Sequence, residues 1–572
     1  MGSAQNLSDD SDYVLSRTRN QIITETTDAY IEQLDLDNPP SPEEIEQELL
    51  SLIKQEFDLE NQMRSKGAKM KPPETLNSWQ IAKLMSLLYP IAKIACAGSN
   101  SDPEYDLLAI YKEDGPDEGT YVTSEETMFK LALRFNVSMS TKEFNEVVAK
   151  LRLLVPRKTR CTDRDMIAVN NGIFDFEKKI LEPFSPDIVF MTKSHVNYNP
   201  AATNVVIHNN DDGTDWDIES WMNDLSDDPE IVELLWEILS AIIRPHVRWN
   251  KSAWLYSESG NNGKGTLCEL MRSLCGDTAY ASIPLNSFSK DFALEPLTRA
   301  TAVIVDENDV GDFIDKAANL KAVITNDVIA INRKFKTPIS YQFYGFMVQC
   351  LNEFPRIKDK SDSFYRRQLF IPFTKCFTGK ERKYIKNDYL HRDEVLEYVL
   401  YRVLHMNFYT LSEPQACLDV LNEYKEFNDP VRQFFEEMED FFQWDLLPFS
   451  FLYELYKQWF RKNSPNGSIQ GKTKFINELL NVVQGNQTWY CSDKTKNIRS
   501  AGKMELPEPL IATYDVMDWK NPSYNGPDPN KIGLPHKNAF YRGLLRYDST
   551  NSNIDEDNNV ISTTTDESEV PV

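Results

Sequence analysis

The sequence predicts an α/β fold in which a central domain with a phosphate-binding loop lies between an α+β domain and a mainly helical domain. Three observations predict it. An apolar strand at 254–256 runs into a glycine-rich turn that ends at Thr266. Two later apolar runs, residues 301–309 and 344–352, have the pattern of buried strands and end in polar side chains. Helical periodicity dominates the flanking segments, and strands that alternate with helices are typical of α/β proteins.

Length and composition limit the class of protein that this chain can be. A chain of 572 residues with 41% hydrophobic residues should hold several domains with buried cores. No apolar run approaches the roughly 20 residues of a membrane span, and the first residues lack a signal-peptide pattern. The eight cysteines are scattered, without the spacing of a disulfide framework or a zinc site. We therefore expect a cytoplasmic protein with reduced thiols and no membrane partner.

The formal charge of −26 is concentrated at the chain ends. Residues 1–60 carry 15 acidic and 3 basic side chains, and residues 551–572 carry 6 acidic and none basic. Local basic patches, not the total charge, therefore decide whether DNA is a partner. We expect a disordered acidic tail at 1–40, a helical and α+β domain at 41–215, the central domain at 216–380, a helical extension at 381–430, a last ordered block at 431–545 and a disordered acidic tail at 546–572.

A helix is predicted to begin at Ser41, where Pro42 and Glu44 complete a capping box. Apolar residues from Ile45 to Phe57 then fall on one helical face. This helix either docks on a partner or packs on its own domain.

The glycine-rich turn has the composition of a phosphate cradle. Backbone N–H groups at a helix start bind phosphates, and Lys264 would reach the β and γ oxygens of a nucleoside triphosphate. Glu258 stands where the usual first glycine belongs, and Thr266 comes one residue late, as in some nucleotide kinases. The alternative is a glycine-rich loop without a ligand. The candidate nucleotide-binding residues are Gly260, Asn261, Asn262, Gly263, Lys264, Gly265 and Thr266, and Thr266 is also a candidate Mg²⁺ ligand.

An acidic strand end supplies the second half of such a site. The run TAVIVDEND, residues 301–309, predicts a buried strand that ends in Asp306 and Glu307. A triphosphate site must hold Mg²⁺ and aim a water at the γ-phosphate. We assign Asp306 to the metal and Glu307 to the base that polarises water. The alternative is an acidic strand end at the surface.

Two strand-like runs then flank a basic tip formed by Arg333, Lys334, Phe335 and Lys336. Three cations and an aromatic ring at a hairpin tip suit a DNA backbone and its bases. An ordinary solvated hairpin is the alternative. Further on, Asn352 ends another apolar strand, where its amide could bind the γ-phosphate or the attacking water.

Arg366 and Arg367 directly precede a hydrophobic strand. A guanidinium at such a place could stabilise transition-state charge, including that of a neighbouring subunit's nucleotide.

The order of these motifs within residues 254–373 resembles the superfamily 3 helicases of viruses and plasmids. The hairpin INRKFK looks like the DNA-tracking hairpin of papillomavirus and polyomavirus helicases, with Phe335 in place of the usual histidine. This resemblance assigns DNA translocation to Lys334, the arginine finger to Arg367 and a second phosphate-side contact to Arg366.

The resemblance extends to about residues 165–480. Residues 166–200 look like the region before the motor in phage, plasmid and poxvirus-type primase-helicases, and GNNGKGTL is similar to the P-loop spelling in phages of Gram-positive bacteria. It implies a P-loop AAA+ (superfamily 3) motor that forms a hexameric ring, hydrolyses ATP with Mg²⁺ and moves 3′ to 5′ on single-stranded DNA. It also implies a bacterial host cytoplasm, with primase, polymerase and single-strand binding protein as partners.

A primase would need a paired-aspartate strand and a Ser-x-His motif. Asp163 and Asp165 have the spacing but lie outside an apolar strand, and Ser194 directly adjoins His195. A bifunctional primase-helicase is therefore only a lesser alternative.

The last ordered block has three helical stretches, residues 431–445, 449–463 and 471–483, followed by a basic loop. The loop carries the candidate DNA-binding residues Lys494, Lys496 and Arg499. Helices followed by a basic β-wing predict a winged-helix-like DNA-binding domain. A structural cap with a solvated loop is the alternative.

The leading hypothesis is an ATP-dependent DNA helicase that acts on single-stranded, forked and origin DNA of a phage or mobile element. A P-loop kinase of nucleotides or small molecules is a competing hypothesis, prompted by the order Lys264, Gly265, Thr266. A non-catalytic origin-binding scaffold is a third. Phosphoryl transfer to a nucleoside monophosphate, without stimulation of ATP hydrolysis by DNA, would favour the kinase. DNA-stimulated hydrolysis would exclude the scaffold.

Overall fold

The computed structural model describes residues 17–309, 313–314, 316–334, 336–357, 359–463 and 469–547. The described chain forms two compact units, one that ends at Asn422 and one that begins at Glu423. None of its helices is long and apolar enough to cross a lipid bilayer. Phe335, predicted to contact DNA, lies outside the described residues, as do residues 1–16 and 548–572 of the predicted tails.

The first unit begins with helices packed on a small sheet. Its elements are α1 (Arg19–Glu32), α2 (Pro42–Gln62), α3 (Ser78–Leu88), β1 (Ile91–Ala95), β2 (Leu107–Tyr111), β3 (Tyr121–Val122), α4 (Glu125–Leu133), α5 (Thr141–Leu154) and β4 (Arg157–Thr159). The sheet order is β3-β2-β1-β4, and only the β1–β4 pair is parallel. Helix α2 packs on its own domain, and its capping box at Ser41 is present as predicted.

The predicted disordered tail at 1–40 is wrong for its second half, because residues 19–32 form α1. Ile22 and Ile23 are buried against the helices that follow. Arg17 bonds Glu56 at 2.8 Å and Glu60 at 3.3 Å, which places the acidic charge of α2 opposite a cation. The prediction of disorder relied on net charge, and it overlooked a short apolar stripe that is sufficient to pack a helix on its neighbours.

Short strands and two helices connect this part to the motor. They are β5 (Met166–Val169), β6 (Gly172–Asp175), β7 (Ile180–Glu182), β8 (Ile207–His208), β9 (Asp215–Trp216), α6 (Ile218–Asp224) and α7 (Pro229–Ile243). Strands β5, β6 and β7 form an antiparallel meander. Helix α7 is apolar almost all round and largely buried, as a helix inside a core must be.

The motor follows as a parallel α/β region. Its elements are β10 (Ser252–Tyr256), α8 (Lys264–Cys275), β11 (Tyr280–Ala281), β12 (Ala302–Val305), β13 (Phe313–Ile314), α9 (Ala318–Ile324), β14 (Val328–Arg333), β15 (Lys336–Gln342), β16 (Phe346–Leu351), β17 (Arg356–Ile357), α10 (Asp362–Tyr365) and β18 (Gln368–Pro372). Five strands form a parallel sheet of order β11-β12-β16-β10-β18. The predicted basic hairpin is the antiparallel pair β14–β15. A mixed α/β protein with a parallel sheet is thus confirmed.

Helices close the first unit: α11 (Lys383–Asn387), α12 (Asp393–His405) and α13 (Gln415–Asn428), which continues past Asn422. One hydrophobic core extends from Ile167 to Cys417 and includes α7, α8, α12 and the motor strands. The expected boundaries at 215 and 380 therefore do not coincide with a change of core.

The second unit contains the three predicted helices and short strands. Its elements are α14 (Pro430–Met438), β19 (Leu446–Pro448), α15 (Phe449–Asn463), α16 (Lys472–Val482), β20 (Trp489–Tyr490), β21 (Ile498–Arg499), α17 (Leu510–Thr513), α18 (Pro529–Ile532), β22 (Phe540–Tyr541) and β23 (Gly543–Arg546). Antiparallel strands form one sheet of order β19-β23-β20 and a separate pair β21–β22. Aromatic side chains of the three helices fill the core between helices and sheet.

Candidate nucleotide site and basic hairpin

The loop between β10 and α8 has the backbone of a phosphate cradle. Asn261 and Gly263 have positive φ values of 54° and 88°, so the chain reverses sharply before α8 begins at Lys264. A Cβ on Gly263 would come within 2.7 Å of Leu225 Cδ2, which restricts this position to glycine. Within the described chain, the N-cap residue Gly263 supplies no side-chain cap, and only the Lys264 amide has a long 3.4 Å contact, to Asn262 Oδ1. The first-turn amides of α8 therefore suit an anion, which fits the predicted triphosphate.

Lys264 is held at the carboxyl edge of the sheet. Its side chain amine donates to the Leu351 carbonyl at 2.7 Å and to Asn352 Oδ1 at 2.8 Å. Lys264 is only 6% exposed, and desolvation lowers the pKa of its amine. Two predicted site residues, from the loop and from the end of β16, are thus in direct contact.

Asp306 completes the same edge from the end of β12. A Cβ on Gly265 would lie 3.0 Å from Asp306 Oδ1, so the carboxylate packs directly against the first turn of α8. That turn also carries Thr266, which suits the predicted shared Mg²⁺ site of Thr266 and Asp306. Glu307, the predicted base, follows Asp306 and is exposed. Because β10, β12 and β16 are parallel, their carboxyl ends bring these residues together.

A segment after β18 clasps the loop. The Phe377 amide donates to the Asn261 carbonyl at 2.7 Å, and Asn261 Nδ2 donates to Glu381 Oε1 at 3.0 Å. Glu381 Oε2 in turn accepts from the Gly379 amide at 3.1 Å. Asn262, by contrast, is buried and bonds within the loop, to the Ser259 carbonyl. The loop is therefore held from outside by a segment more than a hundred residues later in the chain.

A cleft of about 880 Å³ opens beside the loop. Thr266 lines it, with Trp221 and Phe377 as aromatic walls. The cleft also has a group of cationic residues: Lys375, Lys380, Arg382, Lys383 and Lys386. Its volume and mixed apolar and cationic lining match a small-molecule site, and the cations favour an anionic ligand.

Arg366 and Arg367 lie at the amino ends of the parallel strands, opposite the carboxyl ends that hold Lys264 and Asp306. Ser252, the first residue of β10, pairs with Gln368, and the Ser252 amide donates to the Arg367 carbonyl at 2.8 Å. Four strand residues at roughly 3.3 Å each separate this end from the phosphate loop. Arg367 bonds Ser363 Oγ at 2.9 Å, and within the described chain its buried Nε has no hydrogen-bond partner. The structure thus does not bring these arginines to their own chain's loop.

The basic hairpin is partly engaged by its own chain. Arg333 Nη2 donates to the Thr337 carbonyl at 2.9 Å, which closes the guanidinium across the hairpin. Lys336 forms a 2.8 Å ion pair with Glu125 of α4. Lys334, at the turn, is exposed. Of the described tip residues, Lys334 and Lys336 are thus exposed and Arg333 is half-buried.

The predicted DNA-contacting residues of the second unit lie on and after the loop that follows β20. Lys494 and Lys496 are exposed in that loop, and Lys494 Nζ donates to Asn477 Oδ1 of α16 at 3.2 Å. Arg499 lies on β21 and is exposed. The three cations therefore occupy one short stretch of surface that begins beside the third helix.

Sequence reasoning missed two polar residues at the site. Arg272 Nη1 lies 3.9 Å from Asp306 Oδ2, and Asn308 Nδ2 donates to the Cys350 carbonyl at 3.1 Å. Both had a signal: Arg272 follows Lys264 by about two helical turns on the same face, and Asn308 belongs to the same acidic run as Asp306. The clasp by Phe377 and Glu381 had none, because it depends on how β18 pairs.

Comparison with known proteins gives three family matches in chain order. Residues 109–227 match "D5 N terminal like", residues 255–367 match a family of unknown function (DUF5906), and residues 426–521 match "Poxvirus D5 protein-like". The middle match covers the phosphate loop, Asp306, the hairpin and Asn352.

Individual relatives are more distant. A protein of Acanthamoeba polyphaga mimivirus named "Putative helicase L207/L206" is 27% identical over 222 residues, which is 37% of this chain and 22% of the mimivirus protein. The chain thus matches about a fifth of that relative's length. Two solved structures of the NrS-1 C terminal region are 12% and 13% identical, with TM-scores of 0.39 and 0.40; they cover 77% and 75% of this chain, and the matches span 90% and 98% of the solved chains.

The family matches confirm the resemblance seen in the motif order. They occur on both sides of a segment in which the phosphate loop, the acidic strand end and the strand-end asparagine meet at one sheet edge. Over residues 109–227 and 426–521 the chain is therefore similar to the poxvirus D5-like family of superfamily 3 helicases.

Proposed function

We propose that this protein is an ATP-dependent replicative DNA helicase that opens and unwinds origin DNA of a phage or mobile element. The observation that carries the proposal is the contact of Lys264 with Asn352, beside Asp306, at the carboxyl edge of one parallel sheet. This edge is where α/β sheets bind their ligands. Similarity to the D5-type families supports the helicase class.

The first-turn amides of α8 and the side chain of Lys264 bind the triphosphate. The adjacent cleft, with Trp221 and Phe377, takes the nucleoside. Thr266 and Asp306 would hold Mg²⁺, which neutralises charge on the phosphates when it is bound. The residues fit this ion, because hydroxyl and carboxylate oxygens are the ligands it prefers.

Glu307 orients and deprotonates the attacking water, since its exposed carboxylate follows the metal ligand directly. Asn352 senses the γ-phosphate. Its bond to Lys264 is exchanged when the lysine turns to phosphate oxygens, so the end of β16 responds to the nucleotide. This exchange gives β16 a means to report nucleotide state to the hairpin that precedes it.

In an AAA+ ring of six copies, Arg366 and Arg367 of one copy face the nucleotide of the next copy. Arg367 and Arg366 are too far from their own chain's loop, so they act on the nucleotide of a neighbouring copy. Among the described residues, Nε of Arg367 has no hydrogen-bond partner, and the pKa of its guanidinium is lowered, first by desolvation and then by Arg366; both features suit an anion brought by that neighbour. The desolvated charge supports a role at a subunit interface.

Lys334, with Phe335 and with Arg333 and Lys336 behind it, tracks single-stranded DNA through the ring in the 3′ to 5′ direction. The second unit binds forked or origin duplex as a winged-helix-like domain. Three helices, an antiparallel sheet and the basic loop with Lys494, Lys496 and Arg499 support this role. Primase, polymerase and single-strand binding protein are the expected partners.

The test is hydrolysis and unwinding by the full chain. Lys264→Ala should abolish ATP hydrolysis, whereas Lys130→Ala, on a side chain that is 72% exposed, should leave it intact. Wild-type protein should hydrolyse ATP faster with single-stranded DNA and unwind a forked duplex that has a 3′ tail. Wild-type turnover in Lys264→Ala would refute the site, and hydrolysis that ignores DNA would refute the helicase.

A further inference from the structure

Two cysteines from different elements meet under the nucleotide site. Cys268 lies on α8, one turn after Lys264, and Cys350 lies on β16, two residues before Asn352. Their Sγ atoms are 3.4 Å apart, and both residues are buried. Both thiols are free. The predicted site uses neither of them.

The carboxylate of Asp306 lies close to the two thiols. One ligand atom each of Cys268, Cys350 and Asp306 lies within 4.8 Å of the others. In a tetrahedral zinc site with Zn–S bonds of about 2.3 Å, two sulfurs are about 3.8 Å apart, which is close to the spacing found here. Asp306 is 36% exposed, so an ion can approach the group from the carboxylate side.

The donor set selects the ion. Two sulfurs and one oxygen favour a thiophilic divalent cation over Mg²⁺, whose ligands are oxygens. Three protein ligands leave a fourth position for water, as in zinc sites that are not closed. Thiol protons leave to solvent when the thiolates bind the metal.

We propose that Cys268, Cys350 and Asp306 form a site for a thiophilic divalent cation of the Zn²⁺ class, and that occupancy inhibits the motor. The inhibitory step rests on the proposed function, because it assigns Asp306 to Mg²⁺. A cation held by both thiols would take this carboxylate away from Mg²⁺. It would also fix Cys350, whose neighbour Leu351 accepts a 2.7 Å hydrogen bond from Lys264, and so restrain the lysine.

Binding is tested with Cd²⁺ as the probe, on metal-free full-length protein under argon with a phosphine reductant. The ultraviolet charge-transfer band of cadmium–thiolate bonds reports binding without any need for activity. Cys268→Ala and Cys350→Ala should each lose the strongest-binding part of the band. Cys275→Ala, a buried cysteine on the same helix but outside the group, should keep it. A band that is unchanged in the first two variants overturns the site.

Asp306→Asn leaves both buried thiols in place, so it tests the metal site without a substitution in the hydrophobic core. It should weaken Cd²⁺ binding at least about 10- to 100-fold, the range seen when even a group behind the ligands is lost. Equal affinity in this variant overturns the role of the carboxylate.

Inhibition is measured separately, as the ratio of ATP hydrolysis with and without Zn²⁺ at excess Mg²⁺. Wild type should be inhibited and recover with chelator, and Cys268→Ala should resist. Equal inhibition of both overturns the coupling. If the cadmium band follows the thiols but no variant or wild type hydrolyses ATP, the metal site stands and the proposed function fails.

Discussion

The side chain amine of Lys264 donates a 2.8 Å hydrogen bond to Oδ1 of Asn352. Lys264 ends the phosphate loop that follows β10, and Asn352 directly follows β16. The hydrogen bond therefore links the carboxyl ends of these two paired strands. Lys264 also bonds the Leu351 carbonyl next to it. A phosphate that attracts the lysine must therefore compete with the end of β16, and this competition can be tested.

Replacing Asn352 by alanine removes the amide that is assigned to the γ-phosphate. We expect kcat for ATP to fall by about 10²–10³-fold, the range for losing one preorganised donor in the transition state. ATP binding should be retained, because Lys264 keeps its position through Leu351. Steady-state kinetics and equilibrium nucleotide binding separate the two effects. Asn223→Ala, on the exposed face of α6, is the matched control, and an equal loss there would contradict the assignment.

Much of this site could be predicted because its signals are local. A buried strand that ends in Asp306, or in Asn352, is visible in a few residues, and parallel strands gather their carboxyl ends at one edge. The contact of Cys268 with Cys350 could not be predicted, because it depends on the pairing order of strands that are distant in sequence. Helix α1 was missed for another reason: composition averages over charge and conceals a few apolar residues on one face.

Arg367 and Lys264 lie at opposite ends of the parallel strands, so in the proposed ring their variants should complement each other. Arg367→Ala alone should lower ATP hydrolysis by about 10³-fold or more, because an arginine supplied in trans contributes roughly 10³–10⁵. Mixing it with Lys264→Ala pairs an intact loop with an intact arginine at some interfaces. Activity of the mixture above that of either variant is expected. Strict absence of recovery in assembled rings would contradict action in trans.

Lys334 and Lys336 should differ although they flank the same turn. Both side chains are exposed, but Lys336 forms a 2.8 Å ion pair with Glu125 of α4, whereas the resemblance to helicase hairpins assigns DNA translocation to Lys334. Lys334→Ala should reduce unwinding and DNA stimulation far more than DNA-independent hydrolysis. Its affinity for single-stranded DNA should depend less on salt, by about 0.7 in the logarithmic slope for one lost phosphate contact. Lys336→Ala is the control, and a larger unwinding defect in Lys336→Ala than in Lys334→Ala would contradict the role assigned to Lys334.

The clasp on the phosphate loop gives a smaller, measurable effect. Glu381 accepts a 3.0 Å hydrogen bond from Asn261 and one from the Gly379 amide. Glu381→Ala should raise KM for ATP by about 2- to 10-fold, which corresponds to one ordinary hydrogen bond. Its effect on kcat should be weaker. Glu394→Ala, exposed on α12, is the control, and an unchanged KM in Glu381→Ala would show that the loop holds its shape alone.

Glu508 should make the stability of the second unit depend on pH. Its side chain is fully buried, with Oε2 accepting from the Gln443 amide at 2.9 Å. Burial raises the pKa of its carboxyl group from 4.5 to about 7. Between these values the folded state binds more protons than the unfolded state, so the free energy of unfolding falls as pH rises. Above pH 7 the cost is about 3 kcal/mol, and below pH 4.5 it vanishes.

Glu508→Gln cannot ionise, so its free energy of unfolding should lose this slope. Denaturant unfolding, followed through the buried tryptophans at pH 4.5, 6 and 8, should show the variant gaining on wild type at each step. Its side chain oxygen can still accept from Gln443, although the amide needs an acceptor of its own. Glu505→Gln, at an exposed carboxylate paired with Lys537, should not reproduce the change. Parallel pH profiles for wild type and Glu508→Gln would show that the buried carboxyl has an ordinary pKa.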